Sequence, residues 1–127
     1  MRIAEYTVFA SIEQDIIVAL VSDLHDRPFE AIRQAFSDRK PDIVAITGDL
    51  MNGYAADSNN GLAFLEYAAS IAPTFYSLGN HEWRFDAEDL LAVCKTGAIP
   101  LDNAAVQYQD INIGGLDGYE VTTRLRT

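Results

Sequence analysis

Three short apolar runs alternate along the chain with segments whose apolar residues recur at helical spacing. The runs are Ile16–Val21, Ile43–Ile46 and Phe75–Leu78. Runs of four to six apolar residues are too short to cross a membrane, and they are typical of strands buried on both faces. Because a helix-like segment separates each run from the next, the pattern predicts an α/β fold with a mostly parallel sheet and flanking helices.

The segments around these runs predict three helices. Asp26 and Asp86 can cap the first and third helices, and the second begins near Gly61 and stops at Pro73. The positions expected to face inward are Phe29, Ile32 and Phe36 on the first helix, Leu62, Leu65, Ala69 and Ala72 on the second, and Leu90, Leu91 and Cys94 on the third.

The two ends of the chain add further strands. Met1–Phe9 is predicted to form a first strand, and Ile99–Leu101 a short one near the end. Ala104–Tyr108 and Ile111–Gly114 predict a hairpin that turns at Gln109 and Asp110. Because no repeat, linker or low-complexity segment is evident, residues 1–127 are expected to form one domain.

The amino-acid composition indicates the partners and the cellular compartment of the protein more than its chemistry. The chain has 127 residues, 49% of them apolar, and a formal net charge of −10, which argues against nucleic acid as a partner. Its single cysteine, Cys94, excludes an internal disulfide and fits a reducing compartment. With no signal peptide or apolar span evident, a cytoplasmic location without a membrane partner is expected.

Each apolar run is followed at once by polar residues that can bind metal. Asp23 and His25 follow the first run, Asp49 the second, and Asn80 with His81 the third. Carboxyl ends of parallel strands meet at one edge, and residues two apart on a strand share a face. Carboxylate, imidazole and amide donors suit Mn, Fe or Zn ions. Any one of these residues alone is better explained as a helix cap or a surface residue, but their recurrence after three successive strands favours a metal site.

The motifs Asp23-Leu24-His25, Gly48-Asp49 and Gly79-Asn80-His81-Glu82 follow one another in this order. On these residues the chain resembles the amino-terminal part of the calcineurin-like metallophosphoesterases. The resemblance implies a four-layer α/β/β/α sandwich, of which only the first half is encoded here: a mostly parallel sheet, flanking helices and a terminal hairpin. Residues 1–127 would then be a partial metallophosphoesterase domain.

The resemblance also implies a role for each motif residue. Asp23 and His25 would bind the first of two divalent ions (Mn, Fe or Zn), Asp49 would bridge both, and Asn80 would bind the second. His81 would protonate the leaving oxygen or donate to the phosphoryl group, while a bridging hydroxide attacks phosphorus in a phosphomonoester, phosphodiester or pyrophosphate.

Two arginines flank these motifs in the sequence. Arg27 and Arg84 would touch the phosphate, although a solvent-exposed arginine is the commoner role for each. Gly48 and Gly79 would let the backbone turn sharply before Asp49 and Asn80.

The family pattern continues with a further histidine and a G-H-x-H motif, neither of which occurs in these 127 residues. Partial or absent metal occupancy is therefore possible, and whether this chain is an enzyme stays open. It is the front part of a longer enzyme, a short relative that is weakly active or inactive, or a chain that completes its site with another chain. The non-catalytic alternative is an interaction or regulatory domain of the same fold. An uncovered sheet face predicts a homodimer or other association.

Overall fold

The computed structural model describes residues 3–9, 11–25, 27–48, 50, 59–77, 87–101, 104–109 and 111–115. Its elements are β1 (Val18–Val21), α1 (Glu30–Arg39), β2 (Ile43–Ile46), α2 (Asn59–Ile71), β3 (Thr74–Ser77), α3 (Ala87–Lys95), β4 (Ile99–Leu101), β5 (Ala104–Tyr108) and β6 (Ile111–Gly115). The predicted α/β fold is confirmed, because a parallel sheet with intervening helices is followed by a hairpin.

Strands β1, β2, β3 and β4 form one parallel sheet in that spatial order. Val18 pairs with Ile43 and Phe75 pairs with Ile99, so neighbouring strands begin and end at nearly the same level in the sheet. A helix connects each strand to the next. The carboxyl ends of β1, β2 and β3 therefore lie side by side at one edge, where open α/β sheets place their binding sites.

The helices cover one face of this sheet. Val44, Ile46 and Tyr76 point from the strands into the main core, where Phe64 of α2 and Val93 of α3 are also fully buried. The predicted inner stripe of α1 is confirmed, because Phe36 is buried and both Phe29 and Ile32 pack against this core. Arg33 lies over the ring of Tyr67, 4.2 Å from its centre, which adds a cation–π contact between α1 and α2.

Two of the helices end in left-handed residues. Lys40 terminates α1 with φ +49° and donates its amide to the carbonyl of Phe36 at 2.8 Å. Pro41 follows, and a residue before proline is disfavoured in a helix. After α3, Gly97 adopts φ +95°, and a Cβ placed there would lie 3.2 Å from the Cβ of Ala69. Glycine is therefore favoured at position 97 both by the backbone conformation and by the close approach of α2.

The hairpin covers much of the opposite sheet face. β5 and β6 pair antiparallel with Tyr108 opposite Ile111, as the predicted turn requires. Ile43, Phe75 and Leu101 are buried in a second cluster with partly buried residues of the hairpin and Ile16. Among the described residues, the expectation of an uncovered face holds mainly at β1, where Val18 and Leu20 are 48% and 69% exposed.

Three expectations from the sequence are wrong. No residue of 3–9 lies in a strand, and Phe9 is 94% exposed. β1 is partly buried on one face, through Ala19 and Val21, and exposed on the other, because the hairpin packs over β2, β3 and β4 instead. On α3, Leu91 and Cys94 are exposed while Val93 is buried, so the inner stripe is displaced from the predicted one. The predicted cap of the first helix is wrong as well, because α1 begins at Glu30 with Phe29 at its N-cap position and has no side-chain cap. Asp26 and Asp86 themselves lie outside the described residues.

Among the helices within the described ranges, none combines the length and the apolar character that a transmembrane span requires.

Candidate metal site

The segment after β1 is hydrogen-bonded to the segment after β2. The amide of Thr47 donates to the carbonyl of Val21 at 3.0 Å, and the amide of Asp23 donates to the carbonyl of Gly48 at 3.3 Å. These bonds extend the pairing of β1 and β2 beyond the ends of both strands. The Asp-x-His segment is thereby held against the residue that precedes Asp49.

Gly48 has the backbone conformation that was expected of it. Its φ is +107°, a region that side chains with a Cβ rarely adopt. The chain therefore turns sharply directly after Thr47. Gly79, which was expected to do the same after β3, lies outside the described residues.

Asp23 and His25 both lie in left-handed conformations, with φ values of +58° and +50°. Such conformations cost roughly 1 kcal/mol or more per residue, although Asp and His tolerate them better than most side chains. Leu24 between them is buried, with 6% of its surface exposed. The two polar residues therefore share a side because of this turn, and not because they alternate along a strand as the sequence pattern suggested.

The imidazole and the carboxylate meet at the surface of this turn. Nε2 of His25 lies 3.6 Å from Oδ1 of Asp23, and the two side chains are 27% and 66% exposed. The hydroxyl of Ser22 donates to Oδ2 of Asp23 at 3.4 Å. Oδ2 thus faces the Ser22 hydroxyl at the long end of the hydrogen-bond range, while Oδ1 faces the imidazole.

The separation of these two donor atoms fits a shared cation. Zn–N and Zn–O bonds are about 2.1 Å each, so two ligand atoms on one ion lie at most about 4.2 Å apart. At 3.6 Å, Oδ1 and Nε2 are within that limit. Among the described residues, no group of three His, Cys, Asp or Glu side chains could hold a metal. A complete shell would need donors from the rest of the chain, where Asp49 lies.

The other predicted site residues divide into two groups. Arg27 is described and exposed, and its amide donates to the carbonyl of Leu24 at 3.1 Å, closing the turn that carries the site. The remaining predicted residues lie outside the described residues, and they are Asp49, Asn80, His81 and Arg84. The structure thus brings Asp23 and His25 together and leaves the other predictions untested.

Sequence reasoning missed two contributors to this geometry. Ser22 supplies a hydroxyl to the Asp23 carboxylate, and Leu24 inserts into the core between the two candidate ligands. The signal for Leu24 was available, because a single apolar residue flanked by Asp and His after a strand is a natural anchor for a loop. Ser22 offered no such signal.

A family model of calcineurin-like phosphoesterases matches residues 16–122 of this chain. An uncharacterized metallophosphoesterase of Campylobacter jejuni is 27% identical to the chain over 114 residues, and the match covers 84% of this chain and 30% of that relative. The chain therefore spans less than a third of the length of that relative. The matched range includes all three sequence motifs.

Proposed function

The chain belongs to the calcineurin-like phosphoesterase family, whose members are generally metal-dependent, and we propose that it contributes a two-metal site for hydrolysis of phosphate esters. In this proposal Asp23 and His25 hold the first cation. Oxygen and nitrogen donors favour Mn, Fe or Zn over a metal that requires thiolates.

The observation that carries this proposal is the hydrogen bond from the Asp23 amide to the Gly48 carbonyl. It joins the turn that bears Asp23 and His25 to the residue directly before Asp49. A carboxylate one residue beyond Gly48 is close enough in the chain to complete a site with the imidazole–carboxylate pair. The bond thus supports Asp49 as a further ligand beside this pair, and we assign it to both cations on the resemblance to the family.

The remaining roles follow the order of the strands. β3 is the neighbour of β2 and ends at Ser77, three residues before Asn80, which we assign to the second cation. His81 would donate a proton to the leaving oxygen as the phosphorus–oxygen bond breaks, and Arg27 and Arg84 would bind the phosphate. When bound, the two cations would neutralise the phosphoryl charge and supply an activated water at neutral pH.

A hydrolysis assay tests this function. With Mn²⁺ and bis(4-nitrophenyl) phosphate, the purified protein should release nitrophenolate, and both a chelator and Asp49→Asn should abolish the release. Asp38→Asn makes the same chemical change near the carboxyl end of α1, away from the strand ends that carry the site, and should leave the rate unchanged. Release that survives the chelator or Asp49→Asn would contradict the proposal.

A second candidate is a non-catalytic interaction or regulatory domain of the same fold. The observation that bears on it is that residues 1–127 contain two histidines and no G-H-x-H motif. From this chain the second cation would then receive only Asp49 and Asn80. This candidate predicts weak metal uptake without turnover, so metal binding combined with no release of nitrophenolate distinguishes it from the first.

The exposed part of the sheet suggests how the protein associates. Val18 and Leu20 are 48% and 69% exposed on one face of the edge strand β1. We propose that a second copy or another apolar surface covers them, since exposed apolar patches of this kind mark interaction sites. We also propose a cytoplasmic location, because a single cysteine without a disulfide partner fits a reducing compartment.

A further inference from the structure

We infer that Leu24 is a positioning residue of the metal site, whose burial keeps the Asp23 carboxylate and the His25 imidazole on the same side of the turn. The inference rests on the proposed site, because it concerns how two of its ligands are held. It assigns a role to the middle residue of the Asp-x-His motif. Without this inference, that residue would only separate the two ligands.

Burial is the first step of the argument. Leu24 is 6% exposed and belongs to the same core cluster as Phe36, Leu50 and Phe64. Its neighbours are polar and much more accessible, with 66% of the Asp23 side chain exposed. The Leu24 side chain can enter this core only if the chain turns inward at Leu24 and returns to the surface on both sides.

Backbone conformation is the second step. Asp23 and His25 both have positive φ, which is disfavoured for residues with a Cβ unless the surroundings impose it. Insertion of Leu24 into the core supplies the free energy that holds both neighbours in this conformation. The result is the 3.6 Å approach of Nε2 to Oδ1, which a regular strand would not fix in this way.

Two hydrogen bonds define the competing explanation. The Asp23 amide is bonded to Gly48, and the Leu24 carbonyl accepts from the Arg27 amide. If these bonds alone fixed the turn, removing the Leu24 side chain would lower stability but leave the conformations of Asp23 and His25 unchanged. The two explanations therefore differ in what Leu24→Ala does to the local geometry.

Nuclear magnetic resonance of the metal-free protein separates them. In the wild type, amide–α-proton couplings and carbon shifts should report positive φ at Asp23 and His25, with a nuclear Overhauser contact between the His25 ring and the Asp23 β-protons. In Leu24→Ala that contact should disappear and the couplings should take values averaged over several conformations. In Leu24→Met both the contact and the couplings should stay as in the wild type. Leu65→Ala removes the same atoms from the same core on α2, and should leave the turn unchanged.

A turn that keeps its couplings and its ring contact in Leu24→Ala would overturn the inference. So would a Leu65→Ala variant that loses them to the same extent. Titration with Mn²⁺ adds a readout of the ligands themselves, and Leu24→Ala should bind at least about tenfold more weakly, with Leu65→Ala within about twofold of the wild type. A wild type that binds no Mn²⁺ would contradict the proposed function, whereas the metal-free spectra decide the role of Leu24.

Discussion

At Asp23 the backbone and the chemistry favour different residues. A φ of +58° suits glycine, whereas a metal site requires a carboxylate. Asp is one of the few residues with a side chain that enters this region at moderate cost. The position is thus a compromise in which some conformational stability is given up so that Oδ1 can lie 3.6 Å from the imidazole of His25.

This compromise predicts an unusual order of stabilities. Because Asp23→Gly relieves the left-handed strain and Asp23→Ala retains it, the Gly variant should have the higher free energy of unfolding, by about 1 kcal/mol. At Asp38, inside helix α1, the order should reverse by about the same amount, since Ala favours a helix over Gly. Urea denaturation of the four variants measures both differences. An Ala variant at position 23 as stable as the Gly variant would contradict the assigned conformation.

The sequence identified which residues meet but not how they meet. Asp23 and His25 were predicted to share a face of an extended strand, yet β1 ends at Val21 and both residues lie in a turn. Alternation along a strand and an inward loop through Leu24 both put the first and third residues on one side. Hydrophobic pattern cannot distinguish these two geometries, because Leu24 is apolar in either case.

At the scale of elements, the hydrophobic pattern predicted strands and helices correctly where their burial depends on residues nearby in the chain. The strands Ile43–Ile46 and Ile99–Leu101 were predicted correctly. Met1–Phe9 was not, because an alternating segment forms a strand only when a partner strand is available, and none of residues 3–9 is paired in the sheet. The inward side of α3 was predicted incorrectly because Leu90 and Leu91 are adjacent and equally apolar. The hydrophobic pattern therefore does not show which of the two faces the core.

The end of α3 gives a prediction at this scale. Gly97→Ala should lower the free energy of unfolding by about 1–2 kcal/mol, because its φ of +95° is strained for alanine and the added Cβ would crowd Ala69. Gly114→Ala is the matched control, since no positive φ occurs there and the nearest atoms would lie 3.9 Å away. Thermal or urea unfolding should show a loss at position 97 and none at 114. Equal effects at both positions would argue against the left-handed cap.

At the scale of the whole molecule, one sheet separates two unequal cores. The helix-side core is continuous, whereas the opposite face is covered by the hairpin over Ile43, Phe75 and Leu101 but remains exposed at β1. The sequence indicated an open face but not its extent, because coverage depends on where a hairpin distant in the chain comes to pack. The exposed remainder is the candidate association surface.

Leu20→Lys tests that surface. Because Leu20 is 69% exposed, lysine should cost little stability but should disrupt apolar association, and light scattering should then give the monomer mass of 14.0 kDa. Leu91→Lys makes the same change at another exposed leucine, on α3, and should leave association intact. A wild type that is already monomeric at high concentration would rule out self-association through β1.

The most direct measurement is calorimetric titration of Mn²⁺ into the wild type, Asp23→Asn, His25→Gln and Asp38→Asn. If Asp23 and His25 hold one cation together, the wild type and Asp38→Asn should bind alike, and each of the other two should bind more than about tenfold more weakly, a loss of about 1.4 kcal/mol or more. Equal affinity in all four proteins, or no binding in the wild type, would contradict the account.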